Sequence, residues 1–68
     1  MNIRDATLLA TKTGGWLRKR DRAEEWCLFV AGGKVYRNKS YEEVSLDARD
    51  CMGEDWYVVD DQGQELSG

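Results

Sequence analysis

DARDCMGEDWYVV, residues 47–59, passes from a short acidic helix through Gly53 into a strand that opens with Asp55 and Trp56. Asp50 and Asp55 bracket the joint, and Gly53 is free to take a positive φ there. Tyr57, Val58 and Val59 give the strand its β-prone composition. Just upstream, Ser45 is placed to cap the short helix, with Asp47 in its first turn. Just downstream, Asp60 to Gly63 form a turn, and Gln64 to Leu66 a short edge strand. A large aromatic beside carboxylates, held where two elements meet, serves either as a ligand platform or as a core anchor.

Further upstream the pattern is strand and hairpin. WCLFVA (residues 26–31) is the strongest strand, with Trp26, Leu28 and Val30 on one face and Cys27, Phe29 and Ala31 on the other. Apolar residues on both faces predict a central strand covered on both sides, by a helix and by another subunit. Gly32 and Gly33 turn the chain into a hairpin partner at Lys34 to Arg37, and Asn38 to Glu43 read as loop. Trp16 to Arg18 is a shorter strand running into a basic turn, Arg18 to Arg22. At the start, Asn2 caps a helix in which Ile3, Ala6, Leu9 and Ala10 recur at helical spacing until Gly14 and Gly15 stop it. The connections are too short for parallel crossovers. The sum is one α+β domain, residues 1–68: a small antiparallel β-sheet with an N-terminal amphipathic helix and a second short helix before the strand starting at Trp56.

A chain of 68 residues buries only about 60% of its unfolded surface, so it calls for a staple, a metal or a partner. With no histidine and no CxxC spacing, a zinc site is not expected, and Cys27 and Cys51 read as small buried hydrophobes. Oligomerisation is the remaining route. No secretory signal is visible and no apolar run reaches the ~20 residues of a membrane span, so a cytoplasmic protein is expected. Residues 1–39 carry nine of the ten basic side chains and four acidic ones, net +5, whereas residues 40–68 carry one basic and nine acidic, net −8. This asymmetry favours pairing within the chain and head-to-tail contact between copies.

Without histidine, a catalytic base would have to be a carboxylate, lysine or tyrosine. The adjacent pairs Glu24/Glu25 and Glu54/Asp55 would point to opposite faces of a strand. No serine or cysteine has a visible activating partner, and no phosphate-binding glycine loop is present. The reading is therefore a non-enzyme with no cofactor and no metal. Arg18, Lys19, Arg20 and Arg22 interleave with Trp16, Trp26 and Tyr36, a combination that holds phosphate and stacks bases. A basic cluster one turn long suits a small nucleotide better than a nucleic-acid polymer. Asp50 or Asp55 could accept hydrogen bonds from ribose hydroxyls or a base amine.

Three segments taken in order carry a family resemblance. They are the frame Ile3, Asp5-Ala6, Gly14, Leu17 and Arg18; the strand WCLFV at 26–30; and the ending Ser45 to Trp56, in which an acid, two hydrophobic residues and a small residue precede Asp55-Trp56. Together they are similar to the phage Thoeris anti-defence 2-like domain. The resemblance implies a homotetrameric α+β sponge that holds cyclic nucleotide immune signals, glyco-cyclic ADP-ribose or a cyclic oligonucleotide, without cleaving them. It would thereby block Thoeris- or CBASS-type immunity in the cytoplasm of an infected bacterial host. Some relatives are linked to anti-CRISPR activity, which makes an inhibitor that binds a defence protein the alternative. Arg18 and the Asp55-Trp56 pair match the family's motif, and the implied ligand-binding set is Arg18, Arg20, Trp26, Asp55 and Trp56. In that arrangement the arginines, Arg22 among them, hold phosphate, Trp56 stacks on a base and Asp55 orients a polar edge. Trp56→Ala is then expected to weaken nucleotide binding while leaving a folded oligomer. The pattern departs at Asp21, where family members carry a tryptophan; Trp26 or Trp16 would replace it, or the ligand differs.

Overall fold

The structure, a computed structural model, describes residues 1–23 and 26–66. Its elements are α1 (Ile3–Thr13), β1 (Trp16–Lys19), β2 (Leu28–Ala31), β3 (Lys34–Arg37), α2 (Ala48–Met52), β4 (Trp56–Val59) and β5 (Glu65–Leu66). The strands form one sheet in the order β3-β2-β1-β4-β5, with every neighbouring pair antiparallel. The α+β architecture with a short helix before the Trp56 strand is as the sequence predicts. The adjacent pair Glu24/Glu25 lies outside the described residues.

α1 begins where Asn2 accepts the Asp5 N–H and ends at Gly14, whose φ of 73° lets its N–H donate to Ala10 O. Gly15 has a different task. A Cβ there would stand 2.7 Å from Val59 O and 2.8 Å from Val58 Cγ1, so only glycine lets the chain enter β1 so close to β4. The small side chains Ala6 and Ala10 let α1 settle on Leu17, Leu28, Trp56 and Val58, all buried. Ile3, Leu9, Trp26, Val30, Val35, Val44, Leu46 and Leu66 surround this core.

Five details differ from the sequence reading. The middle strand is β1, not the more hydrophobic β2, because β4 returns along β1's far side with four residue pairs from Trp16–Val59 to Lys19–Trp56. Asp47 rather than Ser45 caps α2: its carboxylate accepts the Asp50 N–H at 2.8 Å, which also satisfies the helix dipole. Gly53 is extended, φ −70° and ψ 151°, not left-handed. Cys51 is exposed on α2, whereas Cys27 is half-buried, and both thiols are free. The end of the 38–43 segment read as loop, continued by Val44, lies along the outer edge of β3: Arg37 N–H donates to Glu42 O and Val44 N–H to Val35 O, with Tyr36 bridged to Glu43. It shields an edge that would otherwise offer unpaired backbone groups.

Candidate functional site

Alternation along β1 divides the predicted site residues between the two faces of the sheet. Leu17 and Lys19 face the helices and are buried; Trp16 and Arg18 face the other way. Arg18 lies opposite Tyr57 and Trp16 opposite Val59, while Lys19 lies opposite Trp56. The sheet backbone separates the two sets, so Arg18, Arg20, Trp26, Asp55 and Trp56 do not converge on one pocket.

The helix face holds Trp26, Asp55 and Trp56. Trp56 is 1% exposed, its indole N–H donates to Asp50 O at 2.8 Å, and its ring packs against Trp26 with centroids 5.7 Å apart. It therefore ties α2 to β4 as a core anchor and has no free face for a base to stack on. Arg22 lies over the Trp26 ring at 4.6 Å and donates to the buried Asp50 carboxylate at 3.2 Å. Asp55 is engaged as well: Lys19 Nζ sits 3.1 Å from its carboxylate and 3.1 Å from Asp21 Oδ2. Asp21, where the family resemblance expects tryptophan, is thus a partner for a buried lysine. Desolvation pulls the Lys19 ammonium down, but the hydrogen bonds and charges of Asp55 and Asp21 outweigh it and hold its pKa above the ordinary value. The Lys19 hydrogen bond, against desolvation, keeps the Asp55 carboxyl below its ordinary range. Gly53 leaves room for this packing, since a Cβ would lie 2.8 Å from Asp55 Oδ1 and 3.3 Å from Lys19 Cε and the carboxylate would have to shift.

The opposite face carries no helix. Phe29 and Tyr36 stack across β2 and β3 with centroids 5.5 Å apart, and Tyr41 meets Phe29 edge-on. Arg20 lies 4.3 Å over the Tyr57 ring and makes a two-pronged contact with Glu65, both oxygens at 2.9 Å, in an exposed pair. Arg18 differs. Its guanidinium stands 5.4 Å from the Tyr57 centroid, it has no carboxylate partner among the described residues, and its Nε is buried without an acceptor. Its Nε is sealed from solvent, so the part a ligand can reach is the remainder of the guanidinium, which has no ion-pair partner among the described residues.

Arg18 lies in a cleft of about 690 Å³. Trp16, Cys27 and Val59 share its lining, with Asn38 and Lys39 contributed by the loop after β3 and residues 60–63 by the β4–β5 turn. Burial pushes the Cys27 thiol up, while the Arg18 charge, a hydrogen bond with Asn38 and the Lys39 charge pull the other way. Both cations thus lower the cost of a negative charge at Cys27. Asp60 is committed to the turn, accepting the Gln62 and Gln64 N–H groups at 2.9 Å. Sequence reasoning found Arg18 and Trp16, but missed Lys39, Asn38 and the 60–63 turn. Their assembly depends on the Asn38–Cys27 and Trp16–Val59 pairings, which no local motif announces.

Among the described residues no cluster of three or more histidine, cysteine, aspartate or glutamate side chains could hold a metal ion, and no helix is long and apolar enough to cross a membrane. In comparisons with known proteins, no family model, curated protein or solved structure matches the chain.

Proposed function

We propose that this chain is a non-catalytic binding protein that sequesters an anionic cyclic nucleotide signal in the cleft of the helix-free face. The observation that carries the reading is Arg18, a half-buried arginine that lines a cleft and has no carboxylate partner among the described residues. A volume near 690 Å³ lies within the ~300–1,000 Å³ of small-molecule sites. Arg18 supplies a fixed cation for phosphate, and Trp16 an aromatic wall for a base. Capture needs only affinity and excess: a protein present above its signal lowers the free signal by mass action. In the sense of the family resemblance, the protein would be a phage anti-defence sponge acting in the cytoplasm of the infected cell against Thoeris- or CBASS-type immunity. A homo-oligomer fits the half-buried Phe29, Tyr36 and Tyr57 and the exposed Tyr41 of the helix-free face, and the small core of a 68-residue chain. Trp26, Asp55 and Trp56 act in this reading as the frame that fixes β1.

Native mass spectrometry with cyclic ADP-ribose isomers and cyclic dinucleotides tests it. Intact ligand mass in fixed ratio to subunits is expected, and Arg18→Ala should lose it at unchanged stability. A ligand recovered only as its hydrolysis product would make the protein an enzyme. Retention by Arg18→Ala would remove Arg18 from the site. The second reading, an inhibitor that docks on a basic defence protein, draws on the exposed carboxylates Asp47, Glu54 and Asp61, which have no ion-pair partner among the described residues. It predicts salt-sensitive capture of a protein and no small ligand.

A further inference from the structure

We propose that Lys39 is the second cation of the cleft, presented by a left-handed backbone in the 38–41 loop, and that with Arg18 it forms a two-point subsite for a diphosphate-type anion. The proposal rests on the reading of the cleft as a ligand site and adds a residue and a chemical class to it. Lys39 has φ 75° and Tyr41 φ 59°, the only non-glycine residues at positive φ among the described residues. Side chains with a Cβ rarely adopt this conformation, and it persists where the surroundings enforce it, often at ligand clamps.

Here the surroundings do enforce it. Asn38 N–H donates to Cys27 O at 2.8 Å, Tyr41 N–H to Arg37 O at 3.0 Å, and Arg37 N–H to Glu42 O at 2.7 Å, so the loop is fastened at both ends. The Tyr41 ring, 72% exposed, still rests edge-on against Phe29 at 5.7 Å. Glycine would occupy position 39 with less strain, as it does at Gly32, Gly33 and Gly63. A lysine stands there instead and lines the cleft with Arg18. Lys34, five residues earlier on the same hairpin, is paired with Glu43 at 3.4 Å, whereas Lys39 has no carboxylate partner among the described residues. Asp60 and Asp61 share the lining, but Asp60 Oδ1 is occupied by the N–H groups of its own turn, and two cations without a carboxylate partner among the described residues suit a ligand with two neighbouring negative groups better than a single phosphate.

The test is a titration of the full chain with inorganic pyrophosphate at low salt, followed by amide chemical shifts, with thermal unfolding measured in parallel. The wild type is expected to bind, with shifts at residues 18, 27 and 39. Lys39→Gly should weaken binding at least tenfold while its unfolding midpoint stays level or rises, because glycine relieves the left-handed strain. Lys39→Asn, which tolerates the same backbone, should match Lys39→Gly, and Lys39→Arg should retain most of the affinity. Wild-type affinity in both Lys39→Gly and Lys39→Asn, with Arg18→Ala inactive, would overturn the role of Lys39 and leave the cleft standing. A lower midpoint in both variants would make Lys39 structural and also overturn it. A wild type that gives no shifts would remove the anion subsite altogether.

Discussion

Lys19 and Arg18 are neighbours on β1, yet their environments share almost nothing. Lys19 lies under Gly53 on the helix-covered face, 5% exposed, with Asp21 and Asp55 both at 3.1 Å. Arg18, on the helix-free face, touches the Tyr57 ring and leaves its Nε without an acceptor. The tryptophans divide in the same way: Trp56 is buried and hydrogen-bonded, while Trp16 is half-buried beside the cleft. On one face the polar groups are satisfied within the chain and serve the fold. On the other, the Arg18 guanidinium has no ion-pair partner among the described residues. Satisfaction, more than residue type, separates the charge that serves the fold from the candidate site here.

The sharpest way to break this contrast is to truncate a tryptophan on each face. Trp56→Ala should cost about 3–5 kcal/mol, the usual range for a buried aromatic. In a small domain that approaches the whole of the stability, so urea denaturation should find the variant largely unfolded. Trp16→Ala should fold and lose ligand. A folded Trp56→Ala protein that merely binds more weakly would return Trp56 to the site and dissolve the distinction between the faces.

Acid and base act on the buried face next. The Asp55 carboxyl is held below its ordinary range, so its stabilisation is complete above the unfolded value of about 3.9 and is lost as pH falls through the folded pKa. Asp47, lowered by the Asp50 N–H, follows the same course. Lys19 is shifted upward, so its contribution is complete below about 10.4 and is lost as pH rises through its own folded pKa. The unfolding midpoint should therefore be flat from about pH 5 to 9 and fall on both sides. Asp55→Asn should remove much of the acid limb, and an unchanged acid limb in that variant would mean the Lys19 pair is not coupled to folding.

Most of the scaffold was legible in the sequence because its cues are local. The Asn2 cap, the Ala6/Ala10 spacing, the Gly32-Gly33 turn and the β-prone run after Trp56 each act within a few residues. Strand order was not, since β1's central place follows from its pairing with β4, far away in sequence. The candidate site was legible at Arg18 and obscured at Asp55-Trp56. An aromatic next to an acid looks the same in a sequence whether it faces solvent or core. Only the register, Lys19 opposite Trp56 and Arg18 opposite Tyr57, assigns each to a face. Lys39 carried no cue at all, because a left-handed lysine is invisible until the loop is closed.

Gly53 offers the finest test of the helix-covered face. At φ −70° and ψ 151° any residue is comfortable, so backbone freedom alone would make Gly53→Ala stabilising by about 0.4–1 kcal/mol. The new methyl, however, would stand 2.8 Å from Asp55 Oδ1 and 3.3 Å from Lys19 Cε. The carboxylate can swing aside only by loosening its hold on Lys19, so a net loss of about 1 kcal/mol is expected, the low end for overpacking. The same substitution in an Asp55→Ala background meets no carboxylate, and there it should be neutral or stabilising. A double-mutant cycle from urea denaturation measures the difference directly. Coupling between the two sites would place the need for glycine in the packing of the ion pair. Equal losses in both backgrounds would place it in the backbone, and the joint between α2 and β4 would then have the left-handed turn that the sequence predicts.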